Sequence, residues 1–240
     1  MSKLPCFEGE AYGQRRRGCP TCRNTGPSNR VTRLIAGGFF LSEGNHDKAL
    51  IRERLLLQRL RVSIEQRAER SSRACERLLA LPCIADAQTI AFYAAVGSEA
   101  DPSPAVEACV ASGKRVVFPR VVGSGRVLDF AAATLDELVP GAHRTREPPA
   151  LSPAVLLREI DCIVVPGVGF DAEGRRLGRG GGFYDATLAA LPSRATRIGF
   201  AFETQILPFV PSEGHDIPMD VVVTDARVLL AAQTASTASH

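Results

Sequence analysis

The chain has 240 residues, 45% of them hydrophobic, which is enough to bury one substantial core, so we expect a single domain. The formal net charge is only +3 and the arginines are spread along the chain, which gives little support for a nucleic-acid partner and suits an anionic small molecule equally well. No apolar run approaches the roughly 20 residues of a membrane span, and the odd number of cysteines, seven, fits a reducing compartment better than a disulfide framework. We therefore expect a cytoplasmic protein with no membrane or nucleic-acid partner. We also expect a monomer.

The first part of the chain differs in composition from the rest. Residues 1–46 contain three consecutive arginines and several glycines and prolines without a sustained period, so we predict a disordered extension. Cys19 and Cys22 have a spacing that zinc could use, but a closed structural site needs four ligands, and the others would have to be recruited from afar. A noncatalytic zinc- or RNA-binding module built on this leader is the alternative. The predicted main domain spans 47–230, and a flexible tail follows at 231–240.

Two helices are predicted at the start of the main domain. Asp47 can cap the first of them, whose apolar residues return to one face. Ser63 followed by Gln66 is the pattern of a capping box and predicts a second helix that runs to Leu81, where a proline stops it.

After these helices, short apolar strands alternate with helices. The predicted strands are 89–94, 115–121, 127–132, 161–165, 197–202 and 221–224. Further helices are predicted at 102–111, after Ser152, and from a glycine-rich loop to Leu191. This alternation predicts an α/β fold, with a mostly parallel sheet and helices on both faces. Ligands of such sheets bind beyond the carboxyl ends of the strands.

The segment richest in chemistry is PGVGFDAEGRRLGRGGGFYD, residues 166–185. A predicted buried strand feeds this loop of glycines and arginines, and the loop opens a helix. Glycines let backbone N–H groups approach an anion, the helix adds its positive N-terminal end, and guanidinium groups bind phosphate oxygens in a bidentate manner. A tight surface turn with solvated arginines is the alternative, but the combination favours anion binding. The loop is not a P-loop, since that motif needs a Gly-Lys pair. The only such pair in the chain, Gly113-Lys114, lies elsewhere and lacks the upstream glycine and the following Ser or Thr.

The pattern PG-x-GFD followed by G-x-RLG-x-G-x-G-(F/Y)-YD resembles the signature of 5-formyltetrahydrofolate cyclo-ligases, also called 5,10-methenyltetrahydrofolate synthetases. The likeness extends to a Lys-x-x-x-Arg pair at Lys48 and Arg52, to Glu99, and to the run HDIPMD at 215–220, and it covers residues 47–230. It implies a three-layer architecture like that of ribose-phosphate isomerases and CoA-transferases.

The resemblance also implies a reaction, the conversion of 5-formyltetrahydrofolate and ATP to 5,10-methenyltetrahydrofolate, ADP and phosphate with Mg²⁺. A formamide oxygen is a poor leaving group, so ring closure by N10 requires that oxygen to become a phosphate ester first. No enzyme nucleophile is needed, and the protein must position the reactants and neutralise phosphoryl charge. A related α/β enzyme that phosphorylates or isomerises another anionic small molecule is the alternative.

By their places in the motif, several residues acquire expected roles. Lys48 and Arg52, one helical turn apart, would contact ATP phosphates, and Lys48 and Arg179 are the expected catalytic residues. The nucleotide loop would comprise Arg176, Gly178, Arg179, Gly180, Gly181, Gly182, Phe183 and Tyr184. Folate contacts are expected from Ala94, Glu99, Arg179, Gly180, Gly181, Gly182 and Phe183. Asp185 and Asp216 would hold Mg²⁺, which prefers oxygen ligands.

Each role has a simpler alternative. The two basic residues of the first helix could form an ordinary solvated face, and Asp185 could only favour the start of its helix. Tyr184 could be a core aromatic, and Glu99 could cap a turn. Ala94 and Ala95 stand where the family commonly has larger apolar residues, so we expect a roomier pterin pocket.

Overall fold

The computed structural model describes residues 45–141, 144–214 and 216–231. The predicted disordered leader, its cysteine pair, His215 and most of the predicted tail lie outside these ranges. The α-helices within the described residues are α1 (Asn45–Leu60), α2 (Ile64–Leu79), α3 (Pro82–Asp86), α4 (Ser103–Ala111) and α5 (Phe183–Ala190). None of these helices combines the length and the apolar character needed to cross a bilayer.

The main sheet has eight strands in the order β12-β11-β10-β7-β1-β2-β3-β6. Its strands are β1 (Thr89–Ala91), β2 (Arg115–Arg120), β3 (Asp129–Ala132), β6 (Ala154–Val155), β7 (Cys162–Pro166), β10 (Thr196–Phe200), β11 (Val221–Val223) and β12 (Val228–Leu230). Two short hairpins accompany it, β4 (Val139–Pro140) with β5 (Arg146–Glu147) and β8 (Gly169–Phe170) with β9 (Arg176–Leu177).

The five strands from β11 to β2 run parallel, and antiparallel strands occur only towards the edges of this sheet. Successive strand residues face opposite sides, so Ile90 packs in one apolar cluster and Ala91 in another. The first cluster contains Leu78 of α2 and Val106 of α4, whereas the second contains Leu188 of α5. Helices therefore cover both faces in three layers, and the predicted fold class is confirmed.

The amino-terminal helices follow the predicted pattern with two differences. The capping box is present: the Ser63 hydroxyl accepts from the Gln66 N–H at 3.2 Å, and the Gln66 side chain accepts from the Ser63 N–H at 3.4 Å. However, α1 already begins at Asn45, so Asp47 lies within its first turn and the prediction that it caps the helix was wrong. The proline that ends the second predicted helix also starts α3, since proline is accommodated in a first helical turn.

The helix predicted after Ser152 is absent, and this prediction was wrong. Ala154 and Val155 instead form β6, which pairs antiparallel with Ala131 and Phe130 of β3. The unpaired backbone groups at this sheet edge need partners, and β6 supplies them. Only a short 3₁₀ turn, Leu157–Glu159, follows before β7.

The β8–β9 hairpin separates β7 from the glycine-rich loop. Sequence patterns predicted the loop but not this hairpin. Asp171 is fully buried at its turn, where its carboxylate accepts from the backbone N–H groups of Glu173, Arg175 and Val210. The carboxylate also pairs with the Arg175 guanidinium at 2.7 Å. Asp171 therefore fixes the hairpin and the direction in which the chain enters the loop.

Candidate active site

A cavity of about 390 Å³ opens beyond the carboxyl ends of three parallel strands, β1, β2 and β7. Its wall includes Ala94 and Glu99 after β1 and the segments 119–121 and 166–167 at the ends of β2 and β7. The β4–β5 hairpin contributes residues 145–147, and the glycine-rich loop with the first turn of α5 completes the wall. All the residues expected to contact folate line this cavity.

Glycines give the loop its path into α5. Gly180 and Gly182 have φ angles of 97° and 72°, which residues with a Cβ rarely adopt. Gly182 is the N-cap of α5 and has no side chain to cap the helix, so the first N–H groups of α5 face the loop without a side-chain acceptor from the N-cap residue. A Cβ on Gly178 would lie 2.7 Å from Nη1 of Arg176, so a larger residue at this position would displace the guanidinium.

The Arg176 side chain is only 5% exposed and packs against the loop. It donates to the Asp185 carboxylate at 2.6 Å and to the Pro166 carbonyl at 3.4 Å, and its guanidinium lies 5.6 Å from the centre of the Tyr184 ring. Its Nε is buried and has no acceptor within the described part of the chain. Burial, with the Glu99 charge nearby, raises the pKa of the Tyr184 hydroxyl, which therefore stays protonated.

Arg179 joins the loop to the segment that follows β1. Its Nη2 donates to Oε1 of Glu99 at 2.7 Å, while Oε2 of Glu99 accepts from the Val96 N–H at 2.9 Å. The Arg179 side chain is 52% exposed, whereas that of Glu99 is 9% exposed. Behind the pair lies Arg59, a buried residue that donates to the Ser98 hydroxyl at 3.0 Å. Burial lowers the pKa of Arg59, and the Glu99 charge opposes this effect.

Helix α1 carries the remaining two predicted cations. Arg52 Nε donates to the Gly178 carbonyl at 2.8 Å, and Lys48 Nζ contacts Glu213 at 2.8 Å and Asp216 at 3.2 Å. Partial burial lowers the pKa of Lys48, but the bonds to the two carboxylates outweigh this and the pKa is raised. Lys48 and Arg52 are one turn apart, about 6 Å along the helix, so neighbouring positions of α1 contact Asp216 and the loop. These contacts show that Lys48 and Arg52 do not form an ordinary solvated helix face.

The geometry has counterparts among known proteins. The model of the 5-formyltetrahydrofolate cyclo-ligase family matches residues 44–225, which is most of the chain. The chain belongs to this family. A cyclo-ligase of Escherichia coli (strain K12) is 34% identical over 168 residues, which cover 68% of this chain and 92% of that relative.

Two solved structures also resemble this cyclo-ligase. The NMR structure of Aquifex aeolicus 5,10-methenyltetrahydrofolate synthetase has a TM-score of 0.69 and 30% identity, and it covers 80% of this chain and 97% of that one. A 5,10-methenyltetrahydrofolate synthetase from Mycoplasma pneumoniae has a TM-score of 0.62 and 25% identity, with coverage of 75% and 99%. The predictions of the family and of a cyclo-ligase enzyme are confirmed.

The two aspartates expected to hold magnesium in this cyclo-ligase are separately engaged. Asp185 accepts from Arg176, and Asp216 accepts from Lys48 and from the Glu213 N–H at 2.7 Å. Within the described ranges, no three His, Cys, Asp or Glu side chains cluster as a metal site. Magnesium commonly takes one or two protein carboxylates and completes its shell with phosphate oxygens and waters, so the carboxylate of either aspartate is a donor of the right kind.

Sequence patterns missed the cavity wall formed by the β4–β5 hairpin. Arg120, which also lines the cavity, connects the segment after β5 to β3, since it donates to Asp129 at 2.8 Å and to the Ser152 carbonyl at 2.8 Å. Its Nη1 also donates to the carbonyls of Pro149 and Ala150. Three of these partners are backbone carbonyls about 30 residues away, so no motif could have revealed them. Glu147 is the second missed residue, and it lines the cavity.

Proposed function

We propose that this cyclo-ligase converts 5-formyltetrahydrofolate and ATP to 5,10-methenyltetrahydrofolate, ADP and phosphate in a Mg²⁺-dependent reaction. The observation that carries this proposal is the Arg179–Glu99 ion pair, which joins the glycine-rich loop to a carboxylate inside the cavity. A loop suited to phosphates and a carboxylate suited to a pterin thus meet at one contact. The cavity volume, about 390 Å³, lies in the range of small-molecule sites, roughly 300–1,000 Å³.

On the nucleotide side, we propose that Lys48 and Arg52 of α1, with the loop from Arg176 to Tyr184, hold the triphosphate. The positive end of α5 and the N–H groups at Gly180 to Gly182 suit phosphate oxygens. The buried Arg176 Nε, which has no acceptor among the described residues, is a further donor of the right kind. Lys48 and Arg179 would act as catalytic residues by neutralising the charge that develops on the transferring phosphoryl group.

On the metal side, we propose that Asp185 and Asp216 hold Mg²⁺ together with phosphate oxygens and waters. When bound, the cation would supply positive charge next to the phosphates. The contact between Lys48 and Asp216 supports this arrangement, because it places a carboxylate beside a cation expected to bind phosphate.

On the folate side, we propose that Ala94, Glu99 and the loop residues Arg179 to Phe183 contact the substrate. A carboxylate can accept two parallel N–H bonds from an aminopyrimidine edge, and Glu99 is fixed by Val96 and Arg179. Phosphorylation of the formyl oxygen then makes that oxygen a leaving group, N10 attacks the formyl carbon and loses its proton, and phosphate departs.

The test is incubation of the protein with 5-formyltetrahydrofolate and Mg-ATP, while the near-ultraviolet band of the methenyl product and the release of ADP are followed. We expect one ADP for each methenyl group formed. Omission of ATP, or its replacement by an analogue that cannot transfer its terminal phosphate, should abolish the band. Product formation without ADP, or ADP release without product, would contradict the proposal.

We further propose that residues 47–230 form the catalytic domain of a cytoplasmic monomer; the match of the family model to residues 44–225 supports these domain bounds. The measurement is turnover of a chain that lacks residues 1–44, which retains all of α1. Turnover equal to that of the full chain, eluting at monomer mass, is expected. Loss of turnover would assign a role to the leader.

A further inference from the structure

A second carboxylate, Glu147, lines the same cavity as Glu99. It ends β5 and is 9% exposed. Its Oε2 accepts from the Val121 N–H at 3.2 Å, and its Oε1 accepts from the Thr145 hydroxyl at 2.7 Å. Both donors are neutral groups of the protein.

No arginine or lysine within residues 45–141, 144–214 and 216–231 forms an ion pair with Glu147. The neighbouring cations are engaged elsewhere, Arg120 with Asp129 at 2.7 Å and Arg146 with the Leu135 carbonyl at 2.6 Å. A largely buried carboxylate is costly unless it is paired or fully hydrogen-bonded. Glu147 therefore differs from Glu99, whose charge is balanced by an arginine.

The position of the Glu147 carboxyl is fixed. A Cβ added to Gly141 would lie 2.3 Å from Cδ of Glu147, so the chain directly after β4 passes close against this side chain. With Val121 and Thr145 on its two oxygens, the carboxylate has little freedom to turn away. An ionised carboxylate has about four acceptor sites, and these two bonds occupy two of them. Acceptor capacity thus remains on a group that lines the cavity.

We infer that Glu147 is a specificity-determining residue, which accepts the N8–H group that a reduced pterin has and an oxidised pterin lacks. This inference rests on the proposed function. In that function Glu99 takes the aminopyrimidine edge, and the N–H at N8 is then the donor of the reduced ring that still requires an acceptor. A buried acceptor that a ligand leaves unpaired discriminates strongly against that ligand.

The experiment compares two ligands without nucleotide, so that binding is measured independently of turnover. Titration calorimetry is carried out with 5-formyltetrahydrofolate, which has N8–H, and with folic acid, which lacks it. The wild-type protein should bind the reduced ligand at least about tenfold more tightly. Glu147→Gln keeps an oxygen for Val121 and an amide for Thr145, so it should fold normally and bind 5-formyltetrahydrofolate about tenfold more weakly. Its affinity for folic acid should not fall, because folic acid has no N8–H to lose and the neutral amide leaves no buried charge unpaired.

Two controls separate this role from a structural one. Glu137→Gln changes an exposed carboxylate that accepts from the Thr134 N–H at 2.7 Å and lies outside the cavity, and it should leave both affinities unchanged. Glu99→Gln should weaken both ligands alike, because both carry the aminopyrimidine edge. If Glu147→Gln does not fold, Glu147→Asp, which retains the charge but withdraws the oxygens, should show the same selective loss.

The inference is overturned if the Glu147 variant keeps the wild-type preference, or if it weakens both ligands by the same factor. If the wild-type protein forms the methenyl product, either result removes only the role of Glu147 and leaves the proposed function intact. Failure of the wild-type protein to bind either ligand and to form product would instead overturn the proposed function.

Discussion

Arg179 Nη2 lies 2.7 Å from Glu99 Oε1, although 80 residues separate the two in the chain. This ion pair connects the proposed phosphate site with the proposed pterin site. A triphosphate that draws the guanidinium towards itself would leave the Glu99 carboxylate with only its bond to the Val96 N–H. We therefore expect the two ligands to influence each other's binding through this pair.

Arg179→Ala should preserve the fold and reduce turnover by about a hundredfold or more, because it removes a charge that stabilises the transferring phosphoryl group. The ion pair contributes little to stability, about 1 kcal/mol or less, since Arg179 is 52% exposed. Thermal unfolding should therefore shift by no more than about 4 °C. Arg227→Ala is the matched control, because Arg227 is 54% exposed and pairs with Glu203 at 2.8 Å. Unchanged turnover of Arg179→Ala would remove Arg179 from the site.

Asp216→Asn should raise the Mg²⁺ concentration needed for half-maximal turnover by roughly tenfold, because it removes a charged oxygen ligand. Magnesium titrations at saturating ATP measure this effect. Glu213→Gln is the control, since Glu213 also accepts from Lys48, at 2.8 Å, but is not a proposed ligand. An equal shift in both variants would mean that the position of Lys48, and not metal ligation, had changed.

Gly182→Ala should impair both stability and nucleotide binding. Its φ of 72° costs a residue with a Cβ about 1–2 kcal/mol, which corresponds to a fall of roughly 2–8 °C in the unfolding temperature. Relief of this strain would displace the N–H groups at the start of α5, so the KM for ATP should rise several-fold. Gly113→Ala introduces similar strain, at φ 78°, in the turn between α4 and β2. It should destabilise the protein without any change in KM, and a rise in KM there would refute the local explanation.

Cys83 should be alkylated with a midpoint near neutral pH. The Cys162 thiol, which donates to the Cys83 carbonyl at 3.2 Å, is the main neighbour that lowers the pKa of the Cys83 thiol to about 7. Burial instead raises the pKa of Cys75 to about 12. Since the thiolate is the reactive form, the rate at Cys83 should rise as the pH passes 7 and then level off. Iodoacetamide labelling followed by peptide mass spectrometry measures each cysteine separately.

The matched variant for this prediction is Cys162→Ala, which removes the neighbouring thiol. The midpoint at Cys83 should then move upwards, towards the ordinary value of about 8.5. An unchanged midpoint would show that the Cys162 thiol does not set the reactivity of Cys83.

Sequence patterns predicted those parts of the fold that local interactions determine. The capping box at Ser63 involves residues three apart, and the central strands are continuous apolar runs buried on both faces, so their patterns are visible in the chain itself. The glycines and arginines of residues 166–185 likewise form one contiguous segment. Helix α4, Ser103–Ala111, followed its proline as predicted.

The missed features depend on partners that are distant in sequence. Ala154 and Val155 became a strand because the edge of β3 was available, which no local pattern reports. Glu147 became a cavity residue because Val121, 26 residues away, donates to it. Contacts of this kind arise from the arrangement of elements, so the sequence patterns indicated the glycine-rich loop but not the cavity wall formed by the β4–β5 hairpin.

Helix α1 reaches the site through Lys48 and Arg52, which are one turn apart. Three residues after Arg52, Leu55 is buried and packs so closely on Gly169 that a Cβ added there would lie 2.7 Å from it. Inserting one residue between Arg52 and Leu55 would rotate the cations by about 100° relative to that anchor. Lys48 and Arg52 would then both point away from the site, although neither residue had been replaced. Substitutions at many positions of α1 should therefore be tolerated, whereas insertions and deletions between Arg52 and Leu55 should not.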